Sequence, residues 1–175
     1  MKPFLKWPGG KRWFVANHAE ILPKTFNRYI EPFLGGGSVF VHLKPTQAIL
    51  SDTNSELIAT YEAIRDEWVA LNKRLVAHKA KHEGDYYYTV RQSNPRLTVT
   101  NAARLIYLNR TCFNGIYRVN LKGEFNVHKG TKDAVVLETD DFESAAGLLV
   151  NADIQTSNFE MVIKNRIKYF LLCQR

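Results

Sequence analysis

The chain has 175 residues, of which 45% are hydrophobic and 12% aromatic, and it carries a formal net charge of +7 with a pI near 9.4. This length suits one domain with a sizeable core, and no apolar run approaches the roughly 20 residues that a membrane-spanning helix needs. The positive charge favours a polyanionic partner, and two cysteines without CxxC spacing or a secretory leader indicate a reduced, cytoplasmic protein with no metal site and no membrane contact.

The N-terminal part of the chain alternates between helix and strand patterns. Residues 1–11 hold two prolines and two glycines and are predicted to form a loop, which a helix over 12–21 follows. Apolar runs at 29–33 and 48–51 predict two buried strands. Between them, 38–43 is predicted to be a helix whose N-cap is its first residue, a serine. This order is typical of an α/β fold.

The most informative stretch is the glycine turn between these strands, Phe33-Leu-Gly-Gly-Gly-Ser-Val-Phe40. A chain that leaves a buried strand needs glycine where its backbone turns tightly and approaches a ligand closely. Asp52 follows the second predicted strand, and a carboxylate at that position accepts hydrogen bonds from ribose hydroxyls in nucleoside-binding α/β folds. Together these features indicate an adenosine-like cofactor, although an ordinary tight turn would also explain the glycines.

Two common nucleotide-binding patterns fit this chain poorly. Phe40 occupies the position of the third glycine in the dinucleotide fingerprint. The sequence Gly9-Gly10-Lys11 is followed by Arg12, where a phosphate-binding P-loop has Ser or Thr. NAD and nucleoside triphosphates are therefore disfavoured. A cofactor with ribose and adenine but no pyrophosphate remains, and S-adenosylmethionine fits that description.

The rest of the chain is predicted to be mainly helical. Apolar residues recur at three- and four-residue steps over 54–81, which predicts a long amphipathic helix facing the core. Further helices are predicted at 85–93, 100–109 and 142–149. The final apolar segment, 166–173, is predicted to be a buried strand.

Residues 110–130 differ from these helices, because turn signals at Asn114-Gly115 and Lys122-Gly123 predict an irregular hairpin-like loop. Its cations can neutralise phosphates, and its aromatic rings and amides can contact bases; these residues are Arg110, Arg118, Lys122, Lys129, Phe113, Tyr117, Phe125, Asn114, Asn120 and Asn126. Arg118 follows the first turn, which suits a bidentate contact with guanine. The alternative is a solvated loop with inward-packed aromatics. Similarly, Trp7 and Lys11 either contact a ligand or serve only as a core cap and a solvated charge.

Four motifs occur in a fixed order: Lys6-Trp-Pro-Gly-Gly-Lys11, Tyr29-Ile-Glu-Pro-Phe-Leu-Gly-Gly-Gly-Ser-Val-Phe40, Ser51-Asp-Thr-Asn-Ser-Glu-Leu57 and Asn109-Arg-Thr-Cys-Phe-Asn-Gly-Ile-Tyr-Arg-Val-Asn-Leu-Lys-Gly-Glu-Phe-Asn-Val127. In this order they closely resemble the Dam-type (class alpha, D12) adenine-N6-specific DNA methyltransferases. The resemblance runs from residue 4 to about residue 130, and more loosely to about 160.

The resemblance implies a Rossmann-like methyltransferase sheet domain, residues 1–54 and 151–175, and a mainly helical target-recognition insertion, residues 55–150, that carries a β-hairpin. S-adenosylmethionine would be the cofactor, and the implied binding residues are Trp7, Lys11, Phe33, Gly35, Gly37 and Asp52. Double-stranded DNA with a GATC-like target would be the substrate. The hairpin would enter its major groove with Arg118 reading a guanine, and the implied DNA-binding residues are Asn114, Ile116, Arg118, Asn120 and Lys122.

The motif that carries the family's chemistry does not occur in these 175 residues. In the family, a strand ends in Asp-Pro-Pro-Tyr, which accepts the hydrogens of the adenine amino group and stacks on the flipped base. Here Tyr169-Phe-Leu-Leu-Cys173 resembles that strand, but Gln174-Arg175 follows it. Smaller departures are His128-Lys129 in place of Pro-Phe and Asn158-Phe159 in place of Asp-Phe. No catalytic residue is therefore predicted.

The sequence thus predicts a DNA adenine methyltransferase by family, truncated before Asp-Pro-Pro-Tyr and inactive alone. One alternative is a catalytically dead module that binds DNA and S-adenosylmethionine. Another is one half of a split enzyme, completed by a second polypeptide. A third is an unstable remnant, because a sheet with an open edge and an uncovered apolar face invites aggregation.

Overall fold

The structure, a computed structural model, describes residues 1–164. Three short strands form a parallel sheet in the order β1-β2-β3; they are β1 (Tyr29–Glu31), β2 (Ala48–Asp52) and β3 (Ala152–Thr156). Because neighbouring strands are parallel, their carboxyl ends meet at one edge of the sheet, where ligands of open α/β sheets bind. The protein is therefore a mixed α/β fold, as the sequence predicts.

Helices precede, connect and follow these strands. The α-helices are α1 (Arg12–His18), α2 (Ser38–Leu43), α3 (Ser55–Lys81), α4 (Tyr86–Gln92), α5 (Thr98–Thr111) and α6 (Phe142–Leu149). Single 3-10 turns lie at Ala19–Ile21 and Phe113–Gly115, and residues 159–164 are also helical. Among residues 1–164, no helix has the length and apolar character needed to cross a bilayer.

Most of the predicted elements are confirmed, and one strand was missed. The helices predicted at 38–43 and 142–149 have the predicted bounds, and the other helices and the first two strands differ by a few residues at their ends. The prediction that the first strand is buried is wrong, because β1 is an edge strand of the described sheet and its Ile30 is 41% exposed, whereas β2 is buried as predicted. β3 was not predicted, because its five residues include the polar Asp153 and Gln155 and only Ala152 and Ile154 are buried. The strand predicted at 166–173 lies outside the described residues.

One hydrophobic core joins the sheet to the helices. Its cluster runs from Phe4 and Leu5 of the leader through β2 and α3 to α5 and β3. The predicted apolar stripe of α3 is confirmed, since its buried residues include Leu57, Ile58, Tyr61, Ile64, Leu71 and Leu75, whereas Trp68 is only partly buried. The leader and the helical region are thus held by the same core as the sheet.

Arg110 belongs to this core, so the prediction that it is a surface cation for phosphate is wrong. Its side chain is 5% exposed, and its two terminal nitrogens donate to Asp140 Oδ1 at 2.6 Å and Asp140 Oδ2 at 2.7 Å. They also donate to the carbonyl oxygens of Val135 and Phe4. A bidentate pair of this kind tolerates burial because its hydrogen bonds replace hydration, and loss of Asp140 would leave a buried charge unpaired.

Candidate functional site

A cavity of about 650 Å³ lies at the sheet edge where β1 and β2 end. The leader forms one side, and the turn between β1 and α2 forms another. The cavity is lined by all six residues that the sequence assigns to the cofactor: Trp7, Lys11, Phe33, Gly35, Gly37 and Asp52. The fold therefore brings together residues from three separate motifs. A space of this size is typical of small-molecule sites.

Asp52 holds the glycine turn in place. Its Oδ2 accepts a hydrogen bond from Gly35 N at 3.0 Å, and its Oδ1 accepts one from Asn54 N at 3.0 Å. Tyr61 Oη of α3 donates to the Gly35 carbonyl oxygen at 3.0 Å, and this hydrogen bond restrains the turn from the side of α3. Each carboxylate oxygen has two lone-pair sites, so Asp52 keeps acceptor capacity toward the cavity.

Gly37 occupies a position that no other residue fits without strain. Its φ is +61°, in the left-handed region, and a Cβ built there would lie 2.7 Å from Tyr61 Oη. Gly37 is also the N-cap of α2, whereas Ser38 is the first helical residue and its Oγ is buried with no hydrogen-bond partner among residues 1–164. The prediction of Ser38 as the N-cap is therefore wrong, because the left-handed turn places Gly37 at that position.

Glu31 is a second carboxylate on the cavity wall, and the sequence motifs did not single it out. Burial raises the pKa of Glu31 to about 7, although the Tyr29 hydroxyl and the charge of Lys11 act in the opposite direction. Tyr29 Oη donates to Glu31 Oε2 at 2.7 Å. The sequence could have indicated Glu31, because it ends β1 at the same edge of the sheet at which Asp52 ends β2.

Two other predicted residues lie at the rim of the cavity. Lys11 Nζ donates to the Gly9 carbonyl oxygen at 2.6 Å, so the ammonium group stays beside the leader. Phe33 is 69% exposed, and its ring centroid lies 5.4 Å from that of Phe159. This pair brings the segment after β3 to the cavity entrance, a contact that sequence spacing alone did not indicate.

A short hairpin follows α5. It contains an antiparallel bridge between Val119 and Phe125 and a backbone hydrogen bond from Asn126 N to the Arg118 carbonyl oxygen at 3.1 Å. Both predicted turns are confirmed by left-handed residues, with φ of +56° at Asn114, +67° at Gly115 and +78° at Gly123. The hairpin is short, and its base is attached to α5 through a hydrogen bond from Asn109 Nδ2 to the Gly115 carbonyl oxygen.

The hairpin residues assigned to DNA differ in how freely they project. Arg118 is exposed and its Nε donates to Asn126 Oδ1 at 2.9 Å, which orients the guanidinium. Lys122 is exposed at the loop beside Leu121. By contrast, the amide of Asn120 accepts from Lys122 N and Glu124 N and donates to Glu124 Oε2, so this side chain holds the turn together.

The leader connects the 650 Å³ cavity to the hairpin. Asn109 of α5 bridges them, since its Oδ1 accepts from Lys6 N and its Nδ2 donates to the Lys6 and Gly115 carbonyl oxygens. The Trp7 ring stacks on Tyr117 with centroids 4.8 Å apart and an interplanar angle of 26°. A space of about 420 Å³ lies between leader and hairpin, and its lining includes Trp7, Gly36, Asn114 and Ile116.

Comparison with known proteins gives a consistent result. The sequence profile described as D12 class N6 adenine-specific DNA methyltransferase matches residues 7–171. The chain is 36% identical over 173 residues to the type II methyltransferase M1.LlaDCHI of Lactococcus lactis subsp. cremoris, covering 94% of this chain and 61% of that protein. It is 35% identical over 184 residues to the type II methyltransferase M.MjaIII of Methanocaldococcus jannaschii, covering 93% and 64%.

A third relative is the DNA adenine methylase of Escherichia coli K12, which is 38% identical over 133 residues. That alignment covers 74% of this chain and 48% of the relative. The chain thus spans less than two thirds of the length of the relatives it matches.

Proposed function

Because the chain belongs to the D12 class of N6 adenine-specific DNA methyltransferases, we propose that it binds S-adenosylmethionine and duplex DNA for methyl transfer to adenine. The observation that carries this proposal is the glycine turn that shares one cavity with Glu31 and Asp52. Methyltransferases of this family act on DNA and require a methyl donor. The cavity supports S-adenosylmethionine as that donor for three reasons of shape and charge.

The first reason is the charge of the cavity wall. S-adenosylmethionine carries a sulfonium and an ammonium group, and the wall presents the carboxyl group of Asp52 and that of Glu31, whose pKa of about 7 leaves it partly ionised near neutral pH. A pyrophosphate-bearing cofactor would face these same groups with negative charge. The second reason is Asp52, whose remaining lone pairs suit ribose hydroxyls. The third is the backbone of Gly35 and Gly37, which lets the methionine moiety approach closely.

For DNA, we propose that the hairpin reads the major groove. Arg118 would contact a guanine, Asn114 and Ile116 would lie near the target base pair, and Lys122 would contact the backbone. Asn120 supports this surface indirectly, through the turn that it holds. In the corresponding division of the chain, residues 1–54 and 151–175 bind the cofactor and residues 55–150 recognise the target.

A second candidate function is binding without methyl transfer. These 175 residues contain the glycine turn, Asp52 and the hairpin, but the sequence Asp-Pro-Pro-Tyr does not occur among them. We therefore assign no residue of this chain to the acceptance of the amino protons. For methyl transfer, residues outside these 175, in the same or in another polypeptide, would supply this motif.

Isothermal calorimetry tests the cofactor assignment. The purified chain is titrated with S-adenosylmethionine and, separately, with NAD, and we expect micromolar binding of the first and none of the second. Asp52→Asn should weaken binding at least tenfold, or by about 1.4 kcal/mol. Asp85→Asn is the matched control, because Asp85 is exposed and its side chain makes no capping hydrogen bond. Equal affinity of both cofactors would refute the assignment.

Methyl incorporation separates the two candidate functions. The chain is incubated with labelled S-adenosylmethionine and duplexes that contain GATC or a scrambled site. Salt-dependent DNA binding without incorporated label would support the binding module. Incorporation that appears only when a second polypeptide with Asp-Pro-Pro-Tyr is added would support a split enzyme. The absence of binding to both ligands would contradict both functions.

A further inference from the structure

A second, smaller cavity of about 120 Å³ lies between the leader and the segment that follows the hairpin. Four cationic side chains contribute to its wall: Lys6, Arg12, Arg110 and Lys132. The remaining lining residues in the described part of the chain are apolar or neutral, and none of them is a carboxylate. The proposed cofactor and base-reading roles use none of these four residues.

The positive charge of this cavity is not balanced locally. Arg110 forms its inner end and is neutralised by Asp140, although Arg110 Nε is buried without a hydrogen-bond partner among residues 1–164. Within residues 1–164, Arg12 donates to backbone carbonyls of the leader alone, Pro3 O at 2.5 Å and Leu5 O at 2.7 Å. Within residues 1–164, no carboxylate lies within 4.0 Å of the cationic nitrogens of Lys6, Arg12 or Lys132.

The fold holds Lys6 and Lys132 together despite their repulsion. The charge of Lys132 is the largest cause that lowers the pKa of Lys6, with burial and the charge of Arg12 adding to it. The Lys6 stem passes close over Gly115, since a Cβ built on Gly115 would lie 2.7 Å from Lys6 Cδ. The hydrogen bonds of Asn109 to the Lys6 backbone restrain the same segment. An anion between the two ammonium groups would convert this repulsion into attraction.

We propose that this cavity is an oxyanion site that binds a phosphoryl group between Lys6 and Lys132, with Arg12 beside them. Its volume is well below the roughly 300–1,000 Å³ of sites for larger ligands, and it suits a tetrahedral oxyanion rather than a nucleotide. Lysine ammonium groups bind phosphate as compact point charges. The phosphoryl group comes either from the DNA backbone beside the hairpin base, which rests on the proposed function, or from free phosphate.

The first arm of the test uses inorganic phosphate alone. Thermal unfolding is measured in phosphate and in chloride at equal ionic strength and pH, for the wild type, Lys6→Gln/Lys132→Gln and Lys73→Gln. Lys73 is an exposed residue of α3 and serves as the control for lost charge. If free phosphate is the ligand, it should raise the Tm of the wild type and the control, and this shift should vanish in the double variant.

The second arm uses duplex DNA. The dependence of log Kd on log salt is compared for the wild type, Lys132→Gln and Lys73→Gln. If a backbone phosphate is bound, Lys132→Gln should reduce the slope by about 0.9, the value for one phosphate contact. Lys73→Gln should leave it unchanged. A slope effect without a phosphate-dependent Tm shift identifies DNA as the source, and the reverse result identifies free phosphate.

A folding defect would not imitate these results. Lys132→Gln removes a repulsion, so its Tm in chloride should equal or exceed that of the wild type. If the wild type binds no DNA, the proposed function fails, and the phosphate arm alone decides the oxyanion site. If the variants at Lys6 and Lys132 show the same phosphate-dependent Tm shift and the same salt slope for DNA binding as Lys73→Gln, the oxyanion site is refuted.

Discussion

The 650 Å³ cavity, where we propose that the cofactor binds, and the hairpin are built in opposite ways. Backbone shapes the cavity, because the turn between β1 and α2 contains two left-handed glycines, Gly35 and Gly37, and the buried Tyr61 donates a hydrogen bond to it. Within residues 1–164, the hairpin is held by two isolated antiparallel bridges, Cys112–Lys129 and Val119–Phe125. Its groups with proposed DNA contacts, above all Arg118, are exposed side chains. A site made of backbone is preorganised before its ligand arrives, whereas a site made of exposed side chains acquires its final geometry with the ligand.

This difference predicts that damage to the two regions has different consequences. Changes in the cavity turn should reduce the free energy of unfolding together with cofactor binding, because the same contacts serve both. Changes at the hairpin surface should leave stability nearly unchanged and alter DNA recognition.

Gly37→Ala should lower the free energy of unfolding by roughly 2–5 kcal/mol, because it adds left-handed strain and a clash with the buried Tyr61 hydroxyl. Gly84→Ala is the control, since Gly84 has φ +50° but a Cβ added there would meet nothing within 4 Å, so only the strain of about 1–2 kcal/mol remains. Urea unfolding measures both. Equal losses in the two variants would show that the close approach to Tyr61 has no energetic weight.

The pH dependence of stability should have opposite signs in the two regions. In the cavity, the raised pKa of Glu31, about 7, means that the native state binds more protons than the unfolded chain, so stability falls as pH rises from about 4.5 to 7. His78 of α3 stacks on Tyr107 of α5, the helix that precedes the hairpin, and burial lowers the pKa of His78 to about 4. Its contribution is complete above about pH 6.5 and is lost as pH falls toward 4.

The change in unfolding free energy that Glu31→Gln produces relative to the wild type should therefore be more stabilising at pH 8 than at pH 5, by up to about 3 kcal/mol. His78→Phe, which keeps a ring against Tyr107, should shift stability in the opposite sense, with its more favourable change at pH 5. Urea unfolding of the three proteins at both pH values checks this. Variants whose difference from the wild type is the same at pH 5 and pH 8 would contradict the assigned pKa shifts.

Arg118→Ala should have the smallest effect on stability and a clear effect on recognition. We expect a loss of about 1–3 kcal/mol in discrimination between a guanine site and its substituted counterpart, with unfolding unchanged within about 0.5 kcal/mol. Competition binding with paired duplexes measures the discrimination. Arg96→Ala removes the same charge from an exposed position before α5 and should weaken both duplexes equally. A retained preference in Arg118→Ala would rule out guanine reading.

The same contrast explains what could be predicted from the sequence. The glycine turn and Asp52 were predictable because only glycine adopts the φ values of such a turn readily and because parallel strand ends converge. β3 was missed because five residues with a mixed polar and apolar pattern do not indicate a strand by themselves. Its pairing with β2 is visible only in the structure. Glu31 was missed because its raised pKa arises from burial, which depends on the whole fold. Asn120 could be recognised as a polar loop residue, but not as one whose amide holds its own turn.

The stack of Trp7 on Tyr117 joins the two regions and can couple their binding free energies. Trp7 is a wall of the cofactor cavity, and Tyr117, next to Arg118, donates from its hydroxyl to Glu56 at 2.7 Å. If the proposed DNA complex displaces Tyr117, the stacked Trp7 wall is displaced with it, and the two proposed ligands would then be linked. Linkage is reciprocal: the factor by which DNA changes cofactor affinity equals the factor by which cofactor changes DNA affinity. Through this one aromatic contact, occupancy of either proposed site would change the affinity of the other.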